Sequence, residues 1–366
     1  MKIVIFGLTI SSSWGNGHAT LWRGLCRALI KMGHDIVFYE RDVPYYAAMR
    51  DLNELSGGRL ELYDAWENAS AHAGSDVADA DVAIVTSYCP DSVAAGRLVV
   101  SQRRALRVFY DLDTPVTLAR LAAGEDVPYI DLEVFPEFDL VLSFTGGRAL
   151  DEFRNRLGAS SVEPLYGHVD PDVHRPAAPL AHYQADLSYL GTYSEDRQRT
   201  LEALLVSPAR RCPACRFLIG GAQYPRDFPW SSNIYFVRHL PPAEHAAFFC
   251  SSRLTLNVTR RAMAEMGWCP SGRLFEAAAC GVPIISDTWE GLDSFFCPDD
   301  EIITAGDTNE VIEALRRDDG ELLGMARRAR ERTLDEHSST KRAAEMLNLL
   351  QRSPRTERDR LITAEA

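Results

Sequence analysis

Two series of short, almost wholly apolar runs alternate with helical segments along this chain of 366 residues. The first series is KIVIFG (2–7), DIVFY (35–39), LELY (60–63), DVAIVT (81–86), LRVFYD (106–111) and DLVLSF (139–144). The second is LSYLG (187–191), RFLIGG (216–221), NIYFV (233–237), RLTLNV (253–258), VPIIS (282–286) and EIITA (301–305). A strand that is apolar at nearly every position has both faces covered, as in the parallel sheet of a β-α-β protein. Between the strands lie helical patterns such as 18–32, where Leu21, Leu25, Leu29 and Met32 recur at helical spacing and Gly33 stops the helix. The two series are separated by DPDVHRPAAPLAHYQ (170–184), which holds three prolines. The pattern predicts an α/β chain of two doubly wound domains, 1–168 and 185–345, joined by a hinge at 169–184. A charged tail, 346–366, either frays or packs back on the first domain. Ligands of such sheets lie beyond the carboxyl ends of the strands, so a cleft between the domains is the expected site.

Charge and composition narrow the function. The formal net charge of −13 argues against a broad nucleic-acid footprint but leaves room for a local cationic pocket. The opening apolar run is too short for a signal peptide, and no stretch has the roughly 18 apolar residues of a membrane span, so a cytoplasmic protein is expected. The eight cysteines are scattered, which does not suggest a disulfide framework. Cys212-Pro-Ala-Cys215 is half of a zinc motif without a second Cys-x-x-C or His pair beside it.

The most informative stretch is SGRLFEAAACGVPIISD, residues 271–287. Ser271 and Gly272 start a helix whose first amides are unpaired and partly positive, which makes an anion site. Arg273 adds a planar, charged fork suited to phosphate oxygens, and Glu276, three residues on, shares its face and could accept from a ribose diol. An intrahelical Arg–Glu pair is the bland alternative. The expectation is that this helix start faces a pyrophosphate in the cleft. The preceding run, LNVTRRAMAEMGWCP, reads as loop and contains Asn257 and Arg260.

Together with LGTYSEDRQRTLEALL and SSWGNGHATLWRGLCRALIKMGHDIVFYERDVPYY, this region resembles the glycosyltransferases of GT-B fold. More narrowly, it is similar to those related to the spore-maturation protein CgeB and to family 4, over roughly residues 1–345. The resemblance implies a hexosyltransferase-type reaction, the transfer of a sugar from a nucleotide-diphosphate donor held mainly by the second domain. It implies that Glu276 is the second glutamate of the family's Glu-x7-Glu pattern and contacts the donor ribose. The first glutamate would stand at Trp268, and Glu265 or backbone amides near Trp268 are its candidate substitutes. Gly191 matches the strand-end glycine and Arg197 the basic residue that grips the diphosphate. The family's second basic residue is missing, with Glu202 and Ala203 in its place, so Arg260 or Arg273 supplies that charge.

In the first domain, Gly15 and Gly17 of SSSWGNGHA allow backbone to approach a ligand closely. The spacing departs from the dinucleotide fingerprint, and Glu40 is a weak stand-in for its acidic residue, so an NAD enzyme is not expected. His18 opens the next helix; in inverting relatives a histidine from this region deprotonates the acceptor, with Asp113 here the best partner. In a retaining relative it would position the donor sugar instead, and a plain helix cap is a third option. Asp111-Leu-Asp113 looks like a metal-binding Asp-x-Asp, but arginines and helix amides can neutralise a diphosphate, so no metal or other cofactor is required. His168 reads as structural before ligand-binding. Tyr45 and Tyr46 are candidates for stacking an acceptor or packing the rim.

The expected partners are a UDP-, GDP- or dTDP-type sugar donor and a small-molecule or glycan acceptor bearing a hydroxyl or amine. Two alternatives stay open: a nucleotide-sugar 2-epimerase of the same fold, and a non-catalytic protein that binds sugar nucleotides.

Overall fold

The computed structural model describes residues 1–353. It divides into two compact units: Met1–Tyr166 together with the returning helix from Ser339, and Gly167–Ser338. The first carries a seven-stranded sheet of β1 (Lys2–Gly7), β2 (Asp35–Arg41), β3 (Arg59–Tyr63), β4 (Val82–Thr86), β5 (Leu106–Asp111), β6 (Leu140–Ser143) and β7 (Val162–Pro164), in the order β3-β2-β1-β4-β5-β6-β7. The second carries β8 (Ala185–Leu190), β9 (Phe217–Gly221), β10 (Ile234–Arg238), β11 (Ser252–Asn257), β12 (Ile284–Ser286) and β13 (Ile303–Thr304), in the order β10-β9-β8-β11-β12-β13. Every pairing in both sheets is parallel.

Both orders are the doubly wound pattern in which the winding reverses beside the first strand, between β1 and β4 and again between β8 and β11. At these switch points adjacent connections leave in opposite directions, so the loops after β1, β4, β8 and β11 diverge and leave a crevice at the strand ends. The alternation of apolar runs dictates this architecture. β4 is buried along its whole length, as is β1 beyond its first residue, because helices cover both faces.

The first unit's core is built on Ile3, Ile5, Ile36, Phe38, Ile84, Val108 and Leu142 of the sheet, with Trp22, Leu25 and Leu29 from helix His18–Lys31. It is completed from the far end of the chain. Helix Ser339–Gln351 places Ala343, Met346 and Leu350 in the same core. The second unit therefore ends at Ser338 rather than at residue 345, and the segment up to Gln351 is helix on the first unit. The pattern alone could not assign that helix, because an amphipathic stripe does not say which sheet it covers. The rest of the expected tail, 354–366, lies outside the described residues. The boundary after the first sheet falls at Tyr166/Gly167, and the proline-containing segment belongs to the second unit. Strand β7 (Val162–Pro164) is too short to have shown in the hydrophobic pattern.

Candidate functional site

In the first unit, a carboxylate shapes the loop that follows β1. Glu40, at the end of β2, is 1% exposed and accepts from Thr9 Oγ1 (2.7 Å), Ile10 N (2.7 Å), Ser11 N (2.9 Å) and Ser11 Oγ (2.5 Å). All of its accepting capacity is turned inward, so it holds the loop and is not offered to a ribose. On the other side, Arg23 donates from Nε to the Ile10 carbonyl (2.8 Å), and Asp51 accepts from Ser13 N (3.1 Å) and Ser13 Oγ (2.6 Å). The loop is thus fastened on both sides just before Gly15, which is exposed at φ +60°, and Gly17, the N-cap residue of helix His18–Lys31.

His18, the first residue of that helix, donates its backbone N–H to Asn16 Oδ1 (2.9 Å), and its Nδ1 is buried without a hydrogen bond. Burial lowers its pKa, and the nearby Asp113 charge opposes without reversing this. The ring is therefore neutral at pH 7, the form a proton acceptor needs. Asp113 is the N-cap residue of helix Thr114–Ala122 and donates its backbone N–H to Asp111 Oδ1 (2.9 Å). Asp111 is fully buried at the end of β5, with Oδ2 lacking a hydrogen bond, and burial pushes its carboxyl up to about 6. Two rings, Tyr88 (φ +62°) and Tyr129, lie next to each other at 4.8 Å, and Tyr88 is 5.9 Å from the His18 ring. The strand ends of β1, β4 and β5 thus gather a histidine, two carboxyls and two phenols. Tyr88 and Tyr129 were missed from the sequence because neither stands in a recognisable motif. Tyr45, 52% exposed, and the half-buried Tyr46 stack edge-on at 5.0 Å on the short helix Pro44–Ala47.

In the second unit, the end of β8 is defined by close backbone approach. A side chain at Gly221 would sit 2.1 Å from the Gly191 carbonyl oxygen, and one at Gly191 would meet Tyr189 Oη at 2.6 Å. Gly221 is therefore restricted to glycine by packing, while a side chain at 191 would have to displace the Tyr189 ring. Arg197 follows in helix Glu195–Leu201; its Nη1 donates to Tyr189 Oη (3.1 Å) while Nε is buried without a hydrogen bond. Burial works against its charge, but Tyr189, Tyr224 and Asp196 outweigh that and raise its pKa. Arg260, after β11, donates from Nε to Asp196 Oδ2 (3.0 Å), tying together the two loops of the switch point. Asn257 is 5% exposed and its Nδ2 reaches Ser286 Oγ (3.0 Å) and Thr259 Oγ1 (3.4 Å), so this amide joins β11 to β12. Asp287 accepts from Thr259 N (3.0 Å) and Thr259 Oγ1 (2.9 Å) beside it.

Helix Gly272–Cys280 begins where the sequence places it. Ser271 caps it, its Oγ accepting from Arg273 N (3.3 Å). Gly272 faces open space, since a side chain there would meet nothing within 4 Å. Arg273, 30% exposed, turns onto Glu276, which is only 8% exposed at its side chain. Two further residues that the sequence did not flag close on the same carboxylate. His174, from the proline-containing segment, and His245, from helix Pro242–Cys250, each bring a ring nitrogen within 3.8 Å of Glu276 Oε2. Burial alone would raise the Glu276 pKa; Arg273 foremost, then the histidines, bring it down to about 2. His168 is buried at 5% exposure.

Trp268, at the position of the absent first glutamate, has φ +50° and donates its backbone N–H to the Glu290 carbonyl (2.6 Å). Its ring lies against Gly291, where a side chain would come within 2.5 Å. Glu265 lies on exposed helix Arg261–Met266, paired with Arg261 at 3.8 Å. Cys212 and Cys215 flank a turn fixed by Asn233 Nδ2, which donates to both carbonyls (3.1 and 2.9 Å). Among the described residues the one group of three close metal-ligating side chains is His174, His245 and Glu276.

Residues 197–348 match the sequence profile of a family described as glycosyl transferase-like. Solved structures resemble the whole chain. Sucrose-phosphate synthase from Thermosynechococcus elongatus matches with a TM-score of 0.69 at 14% identity, covering 100% of both chains. An alpha-glucosyltransferase in complex with UDP and a 13-mer DNA has a TM-score of 0.71 at 14% identity, covering 96% of this chain and 100% of its own. Anabaena HepE, in complex with UDP and glucose, gives 0.69 at 12% identity, again over 96% and 100%. No curated protein sequence matches this chain. The fold is therefore that of the GT-B glycosyltransferases: two Rossmann-like α/β units, each built on a parallel sheet. Among the described residues no helix is long and apolar enough to cross a membrane.

Proposed function

We propose that this chain is a glycosyltransferase, related to the CgeB-like and family 4 groups, that moves a hexosyl group from a nucleoside-diphosphate sugar to an acceptor hydroxyl or amine. The second unit holds the donor and the first receives the acceptor. The observation that carries this reading is Arg197, on helix Glu195–Leu201 after β8, whose Nε is buried without a hydrogen bond. A buried cation with an unused donor is costly unless an anion completes it. A donor pyrophosphate supplies that anion. Arg273 and the amides at the open Gly272 turn add to it, so the developing charge on the leaving diphosphate is met without a metal ion on the phosphates. His18, kept neutral by burial and near the Asp113 charge, is the group to take the acceptor proton. The HepE and alpha-glucosyltransferase structures each hold UDP, which supports a nucleoside-diphosphate donor.

The test is a thermal-shift panel of UDP, GDP, dTDP and ADP, followed by an assay for released nucleoside diphosphate with the sugar form of whichever binds. Arg197→Ala should weaken the nucleotide by ten-fold or more, the loss of a charge-assisted bond of about 1.5–3 kcal/mol. His18→Ala should keep nucleotide binding and lose transfer. Equal affinity in the Arg197 variant overturns the assignment.

A further inference from the structure

Glu276, His174 and His245 form a buried cluster that the Arg273–Glu276 ion pair accounts for only in part. His174 Nε2 and His245 Nδ1 are 3.5 Å apart, and each lies 3.8 Å from Glu276 Oε2. These separations are long for hydrogen bonds between such groups. They suit three donors around a common cation. A triangle with these sides has its centre about 2.1 Å from every corner, which is the length of a zinc bond to imidazole nitrogen or carboxylate oxygen.

The surroundings fit as well. His245 Nε2 lies 3.2 Å from the Leu240 carbonyl, so that nitrogen carries the proton and Nδ1 turns a bare lone pair toward the centre. A backbone carbonyl behind a ligating histidine is the usual outer-shell arrangement at metal centres. His174 is 1% exposed and its Nδ1 is buried without a hydrogen bond among the described residues. Burial and the Arg273 charge hold His245 down to about 3, and burial lowers His174, so both rings are neutral at pH 7, as metal binding requires. Two imidazoles and one carboxylate are a zinc-class donor set with a position left for a fourth ligand.

Arg273 borders the cluster, contacting Glu276 and lying 3.4 Å from His245 Nδ1 with its Nη1. It is the most exposed member of the group, at 30%, and sits in the first helical turn beside the open Gly272. From these contacts we infer that His174, His245 and Glu276 form a zinc-class divalent cation site, for which the Arg273 guanidinium is the competing occupant. Metal and guanidinium compete, because Arg273 Nη1 contacts or faces two of the three ligand atoms and its charge repels an ion placed among them. The site draws on Arg273 and Glu276, which the transferase reading also turns toward the donor, but zinc is titrated without nucleotide, so the two readings fail separately.

The experiment uses the full chain, stripped with a chelator, and titrates Zn2+ against a chromophoric zinc indicator without nucleotide, with folding followed by circular dichroism. One zinc per chain is expected, with X-ray absorption reporting only nitrogen and oxygen neighbours. His174→Ala and His245→Ala should each weaken zinc by about 100-fold or more. A Cys212→Ser/Cys215→Ser variant should bind as the parent does. Arg273→Ala, which removes only the competitor, should bind zinc more tightly. Failure of the folded parent to bind zinc, sulfur in the absorption spectrum, or unchanged zinc affinity in Arg273→Ala overturns the proposal. The last variant decides the matter even if either histidine variant fails to fold.

Discussion

Replacing Glu276 by glutamine probes the ion pair at the head of helix Gly272–Cys280 with almost no change of shape. The carboxyl titrates at about 2, against about 4.5 for a free glutamate. That gap corresponds to roughly 3 kcal/mol of preference for the charged form. The amide loses that preference and leaves Arg273 beside two neutral rings. A fully buried cation stranded in this way would cost about 3–5 kcal/mol. Arg273 is 30% exposed and can turn to water, so the expected loss is smaller, about 2–3 kcal/mol. The assay is urea unfolding at pH 7 followed through Trp230, Trp268 and Trp289 of the second unit, in a double-mutant cycle with Arg273→Ala. The cycle removes the contribution of the glutamine itself, and the coupling energy should be about 1–3 kcal/mol. Coupling below about 0.5 kcal/mol would refute the reasoning, since the carboxylate would then be held by something other than Arg273.

Other outcomes follow from the same geometry. His245 stays neutral in the folded chain down to about 3, while an unfolded histidine takes a proton near pH 6.5. The unfolded state therefore binds more protons below that pH, and stability falls toward acid by up to about 1.4 kcal/mol per pH unit. Urea midpoints at pH 7, 6 and 5 should show this fall in the parent and less of it in His245→Gln; parallel profiles would contradict it. Asp111 acts in the opposite sense, because its raised pKa near 6 gives a contribution that is full at acid pH and lost as the pH rises through 6. Asp111→Asn should therefore remove a penalty at pH 7, seen as a higher melting temperature of the first unit. Glu40→Ala should cost about 3 kcal/mol or more and expose the Thr9–Ser13 loop to hydrogen exchange, because four donors lose their acceptor. Met346→Ala, at a fully buried position of the returning helix, should cost about 2–5 kcal/mol, read as unfolding of the first unit rather than the second.

The strands, their parallel pairing and the helix starts were written in local patterns. Twelve of the thirteen strands among the described residues coincide with apolar runs, and of these all but the partly exposed edge strands β3 and β10 are largely buried. The N-cap at Ser271 was legible for the same reason, since capping acts over a few residues, whereas Gly191 was singled out by the family resemblance alone. Tertiary structure decided what touches what over long separations. His174 and His245 stand 71 positions apart and meet on Glu276 only because the proline-containing segment passes helix Pro242–Cys250. Glu40, a poor match to a ribose-binding acid by spacing, is instead the acceptor that shapes the first loop. The returning helix joined the first unit because its apolar stripe fitted helix His18–Lys31. A stripe encodes that a face must be covered, while the partner is chosen by the free energy of the whole packing.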